Sequence, residues 1–114
     1  MAIQEWSEEI TLCELAGDPQ FSDDLDAMLE KFDGKPTDVA LNFAAVGFIN
    51  SSNISQLLRL RKHMLSAQRR LILCNVNTQV WSVFQVTGLD KLFEFTNDIS
   101  TALASLQLSG GDPD

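Results

Sequence analysis

The stretch Val46-Gly47-Phe48-Ile49-Asn50-Ser51-Ser52-Asn53-Ile54-Ser55-Gln56-Leu57-Leu58 marks a change of period in the chain. Before it, Val39, Leu41 and Phe43 alternate with Ala40 and Asn42, the two-residue repeat of a strand. After it, Ile54, Leu57, Leu58, Arg61 and Leu65 recur at helical spacing on one face, with Arg59, Lys62, His63 and Ser66 largely outside it. The four small polar residues between place the helix start at Asn50 to Asn53. Asn and Ser side chains satisfy amides that the first helical turn leaves without partners. Asn53 with Gln56 three residues on also has the form of a capping box.

The same strand–helix alternation extends in both directions. Ile10, Leu12 and Leu15 with Thr11, Cys13 and Glu14 between them predict a half-buried strand stopped by Gly17-Asp18-Pro19. Ser22 is the expected cap of a helix carrying Leu25, Met28, Leu29 and Phe32 and ended by Asp33-Gly34. Downstream, Leu71-Ile72-Leu73-Cys74 is a continuous apolar run, the pattern of a strand covered on both faces. Asn77 or Thr78 caps a helix with Val80, Val83, Phe84 and Thr87, closed by Gly88. Leu92 to Phe95 reads as a brief strand, and Asn97 as the cap of a last helix with Ile99, Ala102, Leu103 and Leu106. Ile3 to Trp6 adds an edge strand. Repeated strand–helix units imply right-handed crossovers, hence an α/β domain with a mixed, mostly parallel sheet of about four or five strands and about four helices. One domain over residues 1–108 is expected, with a loose tail at 109–114.

Charge narrows the function. The chain of 114 residues has 16 acidic and 8 basic side chains, a formal net charge of -8. A nucleic-acid ligand calls for a surplus of Lys and Arg, so none is expected. The balance is uneven: Arg59, Arg61, Lys62, Arg69 and Arg70 lie in an acid-free window, while acids crowd the first third and the last quarter. No apolar run approaches the roughly 20 residues that span a bilayer, so membrane insertion is not expected. Met1 to Glu9 carries three Glu and no apolar signal segment, and Cys13 and Cys74 have no metal or redox spacing. The expectation is a cytoplasmic protein with reduced thiols and no metal or cofactor.

Catalysis has no visible machinery. His63, the one histidine, lies on the helix face beside cations, an environment for a surface residue rather than a general base. Gly17, Gly34, Gly47 and Gly88 are isolated turn glycines outside any phosphate-cradling pattern. The chain is not expected to be an enzyme.

Ile49-Asn50-Ser51-Ser52-Asn53-Ile54, followed by Leu57, Leu58, Arg61 and Lys62, resembles the STAS domains, and within them the bacterial anti-sigma factor antagonists. There a hydrophobic strand runs into an Asp-Ser-Ser-Gly-type turn and a Leu-rich helix. The segment Asn77 to Phe93 is similar to the family's next helix, which ends in Gly-Leu (here Gly88-Leu89) before a short strand. The resemblance spans roughly residues 9 to 106. Two positions differ: Asn50 stands where the family has Asp, and Asn53 where it has Gly.

What the resemblance implies is partner switching. Such domains bind a cognate anti-sigma factor, often a serine kinase. Phosphorylation of the first serine, here Ser51 (Ser52 being the alternative), breaks the complex, and a phosphatase restores it. The implied partner-binding residues are Asn50, Ser51, Ser52, Asn53 and Gln56, with Arg59, Lys62 and His63 on the basic helix face. The alternative is an unphosphorylated STAS scaffold or accessory subunit of a transport or signalling complex, docking an acidic partner through that basic face.

Overall fold

The period-two segments become strands in the computed structural model, which describes residues 3–110 apart from the side chains at 32, 33, 109 and 110. β1 (Ile3–Glu5), β2 (Ile10–Ala16), β3 (Asp38–Ala45), β4 (Leu71–Cys74) and β5 (Glu94–Thr96) lie side by side in chain order. β1 runs antiparallel to β2, and every later pair is parallel, with Cys13 opposite Leu41 and Leu41 opposite Leu73. Four helices follow the parallel strands: α1 (Gln20–Gly34), α2 (Ser51–Ser66), α3 (Thr78–Val86) and α4 (Ile99–Gly110). This is the α/β architecture expected from the alternation.

Strand order decides where the helices go. Right-handed crossovers that always step the same way place α1, α2 and α3 on one face of the sheet. That face holds Cys13, Leu15, Val39, Leu41, Phe43, Leu71 and Leu73 under Phe21, Leu25, Met28, Leu57, Leu60, Met64, Val80 and Phe84. The opposite face, Ile10, Leu12, Ala40, Ile72 and Cys74, is closed by α4 through Ala102 and Leu106. Phe84 centres the main core, with edge-on contacts to Phe43, Phe93 and Phe95 at ring-centroid distances of 6.4, 5.9 and 5.2 Å. Trp81, half-buried, meets Phe95 edge-on at 4.9 Å.

Several local expectations are corrected. β2 is not half-buried: Ile10 and Leu12 face α4 while Cys13 and Leu15 face the other helices, leaving Glu14 exposed. The buried stripe of α2 is Asn53, Gln56, Leu57, Leu60 and Met64. Leu58 and Leu65 are exposed, and Arg61 donates from Nε to the Leu92 carbonyl at 2.8 Å. α1 starts at Gln20 behind Pro19 rather than at Ser22, and β5 begins at Glu94 rather than Leu92. Asp98, not Asn97, caps α4, its Oδ1 accepting from the Thr101 amide at 2.7 Å. α4 continues to Gly110, into the segment expected as tail, whose residues 111–114 lie outside the described ones. Asn77 does cap α3, accepting from the Val80 amide at 2.8 Å, and Gly88 takes the left-handed φ of 76° that follows the helix.

Candidate functional site

β3 leaves the sheet at Ala45, and the chain is pinned before it enters α2. Val46 and Ile49 are buried, the Val46 amide donates to the Phe43 carbonyl at 2.9 Å, and Asn77 Nδ2 donates to the carbonyls of Val46 and Gly47 at 3.1 and 3.3 Å. Asn50 is the N-cap of α2. Its Oδ1 accepts from the Asn53 amide at 2.8 Å, and Asn53 Oδ1 accepts from the Asn50 amide at 3.1 Å. The capping box is therefore Asn50 with Asn53, one turn earlier than the Asn53–Gln56 pair suggested by spacing.

Both asparagines have a second use, because each keeps a free side-chain amide. Asn50 Nδ2 and Asn53 Nδ2 donate to Asp18 Oδ2 at 3.2 and 3.0 Å. Asp18 Oδ1 accepts from the Ser22 hydroxyl and amide at 2.7 and 3.0 Å. One carboxylate thus joins the first turns of α1 and α2. The Ser22 hydroxyl, then the Asn53 amide, then the Ser22 backbone and Asn50 hold the Asp18 carboxyl below the usual range. Asn50 and Asn53, the two residues that differ from the turn the sequence resembles, thus both bind the Asp18 carboxylate.

Ser51 and Ser52 open α2 and are exposed. Of the four orphan amides at this helix start, Asn53's is taken by Asn50 Oδ1 and Asn50's by Asn53 Oδ1. Those of Ser51 and Ser52 remain beside the two hydroxyls at the positive end of the helix dipole. Gln56, also expected at the site, is buried, and its Nε2 donates to the Ser22 carbonyl at 3.1 Å and Asp26 Oδ1 at 3.3 Å, tying α2 to α1.

The basic residues do not join this turn. Arg59, Lys62 and His63 are exposed, but a rise of about 1.5 Å per residue puts them roughly 12 to 18 Å along the helix from Ser51. Ser51, Ser55, Leu58 and Lys62 do share one exposed stripe. Arg69 and Arg70 lie at the opposite edge of the sheet and are structural. Arg69 pairs with Glu9 at 3.0 Å, and Arg70 grips Glu94 at 2.6 Å and donates to the Ser105 carbonyl of α4 at 3.1 Å.

Sequence reasoning missed Asp18 and Phe48. Asp18 was legible only as part of a turn that stops a strand, since its amide partners are 32 and 35 residues away. Phe48 sits in the quoted stretch with no role assigned to it, and its side chain is 74% exposed. Both thiols are buried and poor nucleophiles. Burial first, then Asp24 and Glu14, pushes Cys13 up to about 12; burial and then Asp98 push Cys74 up to about 11. Among the described residues no cluster of His, Cys, Asp or Glu could hold a metal ion, and no helix is long and apolar enough to cross a membrane.

Solved structures share the fold. An anti-sigma-factor antagonist (STAS) domain protein from Planctomyces limnophilus is 21% identical over 91% of this chain and 95% of its own, with a TM-score of 0.78. A variant of RsbS from Moorella thermoacetica is 11% identical over 96% and 97%, at 0.82. The anti-sigma factor antagonist SpoIIAA in its unphosphorylated form is 22% identical over 98% and 97%, at 0.74. At those identities the likeness is one of fold. No curated protein matches the chain by sequence. The model of the STAS domain family matches residues 2–102, which takes in the sheet, the first three helices, the polar turn at Asn50 to Asn53 and the start of α4, and on that match the chain belongs to the STAS domain family.

Proposed function

We propose that this chain is an anti-sigma factor antagonist that works by partner switching in the cytoplasm. It binds an anti-sigma factor with serine kinase activity through the first turn of α2. The kinase passes the γ-phosphoryl of ATP to Ser51 Oγ, whose proton is lost as ADP forms, and the complex separates. A phosphatase resets it. The observation that carries the reading is the exposure of Ser51 as the first residue of α2, beside two amides that the capping box leaves free. A phosphate there adds about -1.5 to -2 charge and finds amides and a dipole ready to receive it, so the fold survives. The partner's contact surface then meets that charge, and binding fails.

Ser51→Asp is expected to keep the native circular-dichroism spectrum and lose the partner kinase, while Ser51→Ala keeps it. Equal binding by the two variants would sink the switch. Incubation with the kinase and ATP, followed by peptide mapping, places the modified group on Ser51 or Ser52.

A second reading, a scaffold subunit of a transport or signalling complex, draws on Arg59, Lys62 and His63, which are exposed and make no ion pair among the described residues. They would dock an acidic partner. Binding that is lost on reversing those charges and indifferent to Ser51→Asp would favour it.

A further inference from the structure

We propose that Phe48 is the aromatic anchor of the partner interface, and that its occupant is a protein with an apolar pocket lipped by carbonyl or carboxylate oxygens; the proposal rests on the partner-switching reading. The ring is 74% exposed although its neighbours Val46 and Ile49 are 1% and 7% exposed. Those two buried side chains, with the Asn77 amide on the carbonyls of Val46 and Gly47, fix the loop on both sides of the ring. The aromatic group is held outward by a built support, so docking it costs little loop ordering.

Its position sets it apart from other exposed apolar side chains. Leu65, Val86 and Leu108 stand at the C-terminal ends of α2, α3 and α4, the edge of the sheet where the parallel strands begin. Phe48 stands at the other edge, in the loop that Asn77 pins, two residues before the Asn50 cap and three before Ser51. An apolar centre with a polar rim is the composition of an interface hot spot.

The rim specifies the pocket. Asp18, the carboxylate bound by Asn50 and Asn53, already accepts four hydrogen bonds from within the chain. The first turn of α2 adds two backbone N–H donors, the amides of Ser51 and Ser52, at the positive end of a helix, beside hydroxyls that can also donate. Oxygens on the lip of the pocket complement those donors. A phosphate on Ser51 takes the amides for itself and sets negative charge against the same oxygens. The ring supplies affinity and the serine supplies the switch.

Photo-crosslinking in the cells that make the protein tests this, with benzoylphenylalanine substituted in the full chain for Phe48 or, in separate variants, for Arg59 or Leu108. The expected result is a crosslink from position 48 to an ATP-binding kinase, absent from position 108 and abolished by Ser51→Asp. With that kinase purified, calorimetry should show Phe48→Ala binding about 30-fold weaker or worse. Phe48→Leu should fall between, and both variants should keep the wild-type spectrum and melting temperature, since an exposed ring leaves no cavity. If the kinase crosslinks from position 59 but not 48, or Phe48→Ala binds within about threefold of wild type, the anchor is refuted and the switch stands. If no kinase crosslinks from any position, the switch falls and the anchor with it.

Discussion

Asn50→Asp restores the acidic residue of the family's turn, and local rules favour it. Asp and Asn are equivalent N-caps, and the helix dipole rewards a negative charge by about 0.3–1 kcal/mol. The tertiary contact reverses the sign. Asn50 Nδ2 lies 3.2 Å from Asp18 Oδ2, so the substitution removes a hydrogen bond and sets two carboxylates against each other. The lost bond, at an exposed site, is worth about 0.5–1 kcal/mol. Two unit charges about 4 Å apart in water repel by about 1 kcal/mol, of which about 0.6 survives physiological salt. Set against the dipole gain, the net loss is about 0.7 kcal/mol at the middle of these ranges, or a fall of about 3 °C in melting temperature for a domain of this size.

Urea titrations followed by circular dichroism measure it, run as a double-mutant cycle with Asp18→Asn. In that background Asn50→Asp should be neutral or stabilising. The pH dependence has a definite sign. Asp18 has a lowered folded-state value, so its contribution to wild-type stability is present above its ordinary 3.8 and lost as pH falls through the lowered value. The deficit of Asn50→Asp follows the same pH course, full at neutral pH and shrinking once either carboxyl is protonated. A variant as stable as wild type at pH 7 in low salt, or an equal deficit with Asp18 removed, would refute the bridging role of Asp18.

Phe84→Ala removes the ring that three aromatic neighbours pack against and should cost about 3–5 kcal/mol in urea denaturation. Native protein at pH 8 should resist alkylation at Cys13 and Cys74, with two adducts by intact mass once urea is added; rapid native labelling would contradict their burial and raised thiol values. Arg70→Lys keeps the charge but loses the two-pronged grip on Glu94, so it should lower stability by about 1 kcal/mol and speed amide exchange in α4 more than in α2.

The sheet and its helices were legible because each rests on a local signal. Period two makes Val39–Phe43 a strand, a short apolar run makes Leu71–Cys74 one that is covered twice, and Asn77 and Gly88 bracket a helix with cap chemistry acting within a few residues. Faces were less legible. In β2, apolar residues occur in both parities because both faces are covered, so Ile10, Leu12 and Leu15 look like one set and are two. In α2, hydrophobicity nominated Leu58 and Leu65, while burial went to Leu60 and Met64 with the polar Asn53 and Gln56.

Those two polar burials hold the lesson of the site. A buried amide is tolerated only where hydrogen bonds meet it. The groups that take the side-chain N–H bonds of Asn53 and Gln56 are Asp18, Ser22 and Asp26, from 30 to 35 residues away, while Asn53 Oδ1 accepts from the nearby Asn50 amide. The sequence by itself determined the alternation of strand and helix, the helix start at Asn50 and the serines that follow it, because period and capping are local. Only the tertiary structure decided that Asp18 supplies the carboxylate, that Gln56 turns inward and that Phe48 turns out, because each depends on what the neighbouring loop or helix presents at that point in space.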